Sequence, residues 1–139
     1  MLILPSDLRD QLIAAARAAA PNEACGLLEG CRNGADLTVT AVHPAANLSP
    51  APQTGFAIDP AVQFALQRRL RGSGRDIIGC YHSHPGGRAE PSRRDRDFVN
   101  WGGCPDGFVW IILAGSGHSS ISAFQGPQFH RLEILIVCA

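Results

Sequence analysis

Two histidines one residue apart, His82 and His84, are followed by Pro85-Gly86-Gly87 and then by Pro91-Ser92-Arg93-Arg94-Asp95. No other stretch of the chain has residue types and spacing so well suited to chemistry. If residues 77 to 84 form a strand, its two-residue period puts both imidazoles on one face, close enough to share a cation. A catalytic zinc takes three nitrogen or oxygen ligands at ~2.0–2.2 Å and keeps a fourth position for water, so a carboxylate returning from a nearby loop would complete the set. Asp95 is the natural candidate. Pro85-Gly86-Gly87 permits a sharp reversal, and the chain from His84 to Asp95 is long enough to come back. Each part also has a plainer interpretation. Paired histidines on a strand often serve only as hydrogen-bonding groups, and Ser92 with Asp95 fits a helix capping box. The capping box explains the serine and the aspartate, but not why a Gly/Pro-rich reversal links them to two histidines.

Holding these groups in place requires a framework, and the apolar pattern supplies one. Residues 6 to 20 predict a helix, with Ser6 as N-cap, Leu8, Leu12 and Ala16 on one face, and Pro21 as the stop. Ala24 to Glu29 reads as a short buried strand. Gly30 to Asp36 then turns into a second strand, Leu37 to Val42, to make a hairpin. Pro44 to Gly55 holds three prolines and few large apolar groups, and reads as a loop. Asp59-Pro60 starts a second helix, in which Val62, Leu66 and Leu70 share a face and which Gly72 to Gly74 ends. Ile77 to His84, Phe108 to Ala114, Ile121 to Phe124 and Arg131 to Val137 read as strands. The fold class is therefore α+β: one domain over residues 1–139, with a mixed sheet of about six strands flanked by helices.

Composition narrows the function. An apolar fraction of 45% with 17% charged residues is that of a globular chain, and the apolar runs fall short of a membrane span. Met1-Leu2-Ile3-Leu4-Pro5 has no basic residue and leads directly to Asp7, Arg9 and Asp10, unlike a signal peptide. Five cysteines at irregular spacing suggest reduced thiols and a cytoplasmic setting, with Cys25 and Cys80 as small core residues and Cys104 without a Cys-x-x-Cys partner. The net charge is zero and all twelve basic residues are arginine, so no overall field gathers nucleic acid. The clusters Arg68, Arg69, Arg71 and Arg93, Arg94, Arg96 read as solvated helix faces rather than docking sites.

Taken together, the motifs resemble the JAMM, or MPN+, metallopeptidases, whose signature is His-x-His-Pro followed by Ser-x-x-Asp, with a glutamate upstream. The matching residues are His82-Ser83-His84-Pro85, Ser92, Asp95 and Glu23, the last just after the first helix. Asn47 through Phe56-Ala57-Ile58-Asp59-Pro60 is also similar to the family's segment before its second helix, so the likeness runs from about residue 2 to the end. It implies an MPN-type, cytidine-deaminase-like fold and one zinc per chain. His82, His84 and Asp95 would be the ligands, water the fourth. Glu23 would be the general base, and Ser92 would donate to the oxyanion. Ser83 faces the other side of the strand and reads as structural. Glu29 competes with Glu23 for the base role, though Gly30 beside it marks an ordinary hairpin end. His43, His118 and His130 read as lone histidines rather than ligands.

The resemblance further implies a hydrolase acting on peptide or isopeptide bonds after the C-terminal Gly-Gly of a ubiquitin-like protein. Short stand-alone members act on sulfur-carrier proteins, releasing cysteine or another adduct or undoing conjugates. The extended tail would add as a strand at a sheet edge. The 44–55 loop is short beside the insertions of linkage-specific deubiquitinating relatives. The resemblance is compatible with a homodimer. The alternative is a non-catalytic MPN-type scaffold, but scaffold members lack the ligands that this chain keeps. A zinc nucleobase deaminase would need His-x-Glu and Pro-Cys-x-x-Cys, and neither occurs.

Overall fold

Leu2 and Leu4 lie two apart and are both wholly buried, and they open the chain as strand β1 (Leu2–Pro5). In the computed structural model, which describes residues 1–100, 105–115 and 120–139, β1 runs straight into helix α1 (Ser6–Ala19). The helix starts at Ser6 itself. Pro5 occupies the N-cap position with no side-chain cap bond, so the expected Ser6 cap is not made. Leu8 and Leu12 face the sheet as their spacing predicts, and Pro21 lies just past the end.

β2 (Cys25–Asn33) and β3 (Asp36–Ala45) form the predicted hairpin, turning at Gly34 with φ of 63°. β3 runs three residues beyond its expected end and takes in Pro44. Beyond Thr38, β2 is the sole strand partner of β3 among the described residues, which leaves an open side where a proline's missing N–H is tolerated. Helix α2 (Pro60–Leu70) begins as predicted, with the Asp59 carboxylate accepting from the Ala61 N–H at 2.9 Å. β4 (Asp76–His84) follows, then α3 (Arg93–Asn100), β5 (Val109–Ala114), β6 (Ser120–Gln125), β7 (His130–Leu132) and β8 (Ile134–Val137). The eight strands form one mixed sheet in the order β7-β6-β5-β4-β2-β3-β1-β8. The two strands beyond the expected six are β1 and the break of the last segment into β7 and β8.

Two apolar layers cover the sheet. Leu8 and Leu12 of α1 pack with Leu28, Tyr81, Ile111 and Leu113 on one face. Leu66 and Leu70 of α2 and Val99 of α3 pack with Leu27, Cys80, Trp110 and Ile112 on the other. β4 lies in the middle, antiparallel to β2 and parallel to β5. The strands approach closely there. A Cβ on Gly79 would stand 2.0 Å from the Val109 carbonyl oxygen, an approach that only backbone movement could relieve. Gly79→Ala should therefore cost about 3 kcal/mol or more of stability, read as a drop in denaturant midpoint. An unchanged midpoint would contradict this packing. No helix among the described residues is long and apolar enough to cross a membrane.

Candidate metal centre

Cys80, His82 and His84 alternate along β4 toward the face covered by α2 and α3, opposite Trp110, Ile112 and Ala114 of β5. The reversal after His84 is closed by a Gly87 N–H bond to the His84 carbonyl at 3.0 Å, with Gly86 at φ of 72°. The chain returns at Ser92, whose Oγ accepts from the Asp95 N–H at 3.1 Å while its own N–H donates to Asp95 Oδ2 at 2.8 Å. The capping box is thus real, and it starts α3. It also aims Oδ2 of Asp95 at the histidines, so the plainer interpretation and the chemical one describe the same bonds.

His82 Nε2 lies 2.9 Å from His84 Nε2 and 3.1 Å from Asp95 Oδ2, and His84 Nε2 lies 3.4 Å from that oxygen. Ligand atoms arranged tetrahedrally at ~2.0–2.1 Å from zinc are separated by roughly 3.3–3.4 Å, close to this triangle. Tautomers support the fit. Nδ1 of His84 lies 2.8 Å from the Arg88 carbonyl oxygen, so it is the nitrogen that donates, leaving the Nε2 lone pair facing the triangle. His82 is wholly buried, and among the described residues its Nδ1 has no hydrogen-bond partner. Its ring is fixed by stacking, with Phe56 at 4.5 Å between centroids and Trp110 edge-on at 5.7 Å. Three electron-rich atoms therefore converge in a nearly dry place, and a divalent cation matches that donor set.

Glu23 approaches the same centre from the other side. One of its carboxylate oxygens and the two imidazole nitrogens all lie within 4.8 Å of one another. Two carboxylates thus compete for one role, and distance separates them. Asp95 contacts both Nε2 atoms, whereas Glu23 hydrogen-bonds neither imidazole among the described residues. Burial raises the Glu23 pKa to about 7 despite the opposing charges of His84 and Arg94. Burial also pushes Asp95 upward, but its bonds to His82 and His84 outweigh this and hold it well below the usual carboxylate range. Burial lowers His82. For His84 the same tendency is overcome by its bonds to Asp95 and the Arg88 carbonyl, which raise it.

The backbone at Glu23 is pinned on both sides. Its N–H donates to the Pro52 carbonyl at 2.7 Å, and its carbonyl accepts from Asn47 Nδ2 at 3.1 Å. Asn47 also donates to Gly55 O at 3.0 Å and accepts from Ser49 N and Ala57 N, so one amide ties the proline-rich loop together. Ser83 is structural as expected: its hydroxyl accepts from the Ala24 N–H at 2.7 Å and fastens the Glu23 segment to β4. Glu29 is occupied elsewhere by Arg75 Nε at 2.7 Å and His43 Nε2 at 2.9 Å. His130 is exposed on β7, and His118 and Cys104 lie outside the described residues. Cys25 and Cys80 are buried, as small core residues. Phe56, Trp110 and Arg94, not singled out from the sequence, join the centre to a cavity of about 630 Å³ that Glu23 and Asp95 also line.

The profile of the prokaryotic homologs of the JAB domain matches residues 5–125. The chain belongs to that family. Among its relatives is the desampylase of Haloferax volcanii, 32% identical over 97% of this chain and 96% of that protein. The probable TtuB-protein conjugate cleaving protease of Thermus thermophilus is 34% identical over 99% of this chain and 84% of its own length. The CysO-cysteine peptidase of Mycobacterium tuberculosis is 33% identical over 96% and 80%. Two solved structures agree with the JAB fold. One, of a protein from Desulfitobacterium hafniense, superposes with a TM-score of 0.86 at 30% identity, covering 100% of this chain and 94% of that one. The other, a JAB1/MPN domain protein from Archaeoglobus fulgidus, reaches 0.60 at 19% identity over 96% and 97%, and shows the fold alone.

Proposed function

We propose that this JAB-family chain is a zinc-dependent hydrolase that cleaves the peptide or isopeptide bond after the C-terminal Gly-Gly of a ubiquitin-like or sulfur-carrier protein. The observation that carries the reading is the triangle of His82 Nε2, His84 Nε2 and Asp95 Oδ2 with Glu23 close beside it, Glu23 and Asp95 both lining one cavity. The relatives named as conjugate-cleaving enzymes and peptidases support the substrate class. A zinc ion held by His82, His84 and Asp95 would supply a Lewis acid that acidifies water and polarises the scissile carbonyl.

The chain's own groups manage protons and charge. Glu23, with its carboxylate raised toward neutrality by burial, accepts a proton from the attacking water and hands it to the departing nitrogen. The Ser92 oxygen already accepts from the Asp95 N–H, so its hydroxyl hydrogen is free to point at the oxyanion. Phe56 and Trp110 hold His82 in one orientation and keep bulk water from it. β4 is flanked by β2 and β5, and the open edges among the described residues belong to β7, β8 and the part of β3 beyond Thr38. The tail reaches Glu23 and Asp95 along the cavity that both line, where side-chain-free glycines allow close approach.

Zinc-loaded protein incubated with a Gly-Gly-ended ubiquitin-fold carrier joined through its C-terminus to an amine should release free carrier, and a chelator should stop the release. Intact conjugate after prolonged incubation would overturn the reading. Ser92→Ala should lower kcat by about 10²-fold, the usual value of one oxyanion donor, while zinc content stays that of the parent. Equal turnover in parent and alanine protein would remove the oxyanion role from Ser92.

A further inference from the structure

Arg94 is exposed, as the solvated-face reading of its cluster expects, but it also stands on the wall of the cavity. Arg96 lies over the Phe129 ring at 5.4 Å, whereas Arg94 lines the cavity together with Glu23 and Asp95. Its Nη1 sits 2.8 Å from the point where a Cβ on Gly55 would stand, so the bare glycine leaves room for the guanidinium against the loop. Its charge is felt at Glu23. Among the described residues it has no ion-pair partner, since the carboxylates that pair do so with other cations. An exposed five-donor fork with no ion-pair partner among the described residues therefore stands on the cavity wall.

The chemistry of the leaving group gives that fork a purpose. Hydrolysis forms a bond from water oxygen to the glycine carbonyl carbon and breaks the carbon–nitrogen bond. The water proton ends on the released nitrogen by way of Glu23, so this nitrogen must lie beside Glu23. If the amine is an α-amino acid, its carboxylate is two bonds away, roughly 2.5 Å, and arrives next to two acidic side chains. Like charge on Glu23 and Asp95 disfavours it there, a bound zinc ion would offset this only in part, and a directional donor on the cavity wall would fix it in place. A lysine leaving through Nε brings only methylene groups to the same spot.

Resting on the hydrolase reading above, we propose that Arg94 is a specificity-determining residue that binds the α-carboxylate of an amino acid attached to the carrier's terminal glycine. It thereby favours carrier–amino acid adducts over lysine-linked conjugates. The carboxylate itself is unchanged by the reaction, so its contact with Arg94 is present in substrate and transition state alike and shows mainly in KM.

The test uses a ubiquitin-fold carrier ending in Gly-Gly, extended by L-cysteine or by L-cysteinamide. Zinc-loaded parent protein should cleave the acid about 10- to 100-fold more efficiently than the amide, chiefly through KM, as expected for one charge-assisted bidentate contact. Arg94→Gln should bring the acid-to-amide efficiency ratio down to about one, any effect through Glu23 slowing both adducts alike and leaving that ratio untouched, and Arg94→Lys should keep part of the preference. Cleavage of both adducts at one rate by the parent, or equal slowing of both by Arg94→Gln, overturns the role of Arg94 and leaves the hydrolase standing. Cleavage of neither adduct by the parent overturns the hydrolase reading and this inference with it.

Discussion

Glu23→Gln is expected to retain the zinc content of the parent protein and to lose about 10²- to 10⁴-fold in turnover, the range associated with a positioned general base. Glutamine keeps the size and the hydrogen-bonding shape of the side chain but cannot take up a proton and return it. Zinc should stay because the three atoms in mutual contact belong to His82, His84 and Asp95, with the Glu23 carboxylate standing off from both imidazoles. Loss of zinc along with activity would make Glu23 a ligand, and full turnover would end its role as base. Stability of the chelator-treated protein gives a second readout. Burial raises the Glu23 pKa from 4.5 to about 7, so between these values the folded chain holds a proton that the unfolded chain has lost. Metal-free parent protein should therefore lose stability as pH rises through that window. The glutamine protein lacks this group. At pH 8 it should be the more stable of the two by on the order of 1–2 kcal/mol, a figure reduced for solvent screening, and the difference should vanish below about pH 4.5.

The sequence made the centre legible because its candidate ligands lie close together in the chain and follow local rules. Two imidazoles at a spacing of two on a strand, a glycine-rich reversal and a capping box are all features of short windows, and each forms where it was expected. Glu23 was harder. Taken alone it is an ordinary carboxylate at a helix end, and only its place among the other motifs marked it. The structure supplies what a short window cannot show, namely the hydrogen bonds that tie its segment to Pro52 and Asn47 of the loop and to Ser83 of β4. β1 escaped notice for a similar reason. Four residues ending in proline give a weak strand signal, and their burial depends on parallel pairing with β3 and β8, far away in sequence. The aromatic clamp on His82 comes from Phe56 in a loop and Trp110 in β5. Arg94 is exposed like its neighbours, and a charge run carries no sign of which member also borders a cavity.

His84→Ala should remove both zinc and turnover, in contrast to the glutamine at Glu23. His84 gives the centre a nitrogen whose lone pair is fixed by the bond from Nδ1 to the Arg88 carbonyl. The remaining His82 and Asp95 form a two-point site, too few for a structural or catalytic zinc. The contrast should be visible without any substrate. Ligand that binds only the folded state raises stability by about 4 kcal/mol at a thousandfold excess over Kd, so zinc should raise the parent's melting temperature by several degrees and leave that of His84→Ala unmoved. Glu23→Gln should respond as the parent does. If zinc instead stabilises His84→Ala as well as the parent, the ion is held at another place, and the convergence of His82, His84 and Asp95 is a hydrogen-bonded strand terminus. If zinc stabilises neither, the family fold is present without its metal chemistry. These outcomes separate ligand from base on binding alone, so the assignment of Glu23 does not depend on having found the right carrier protein.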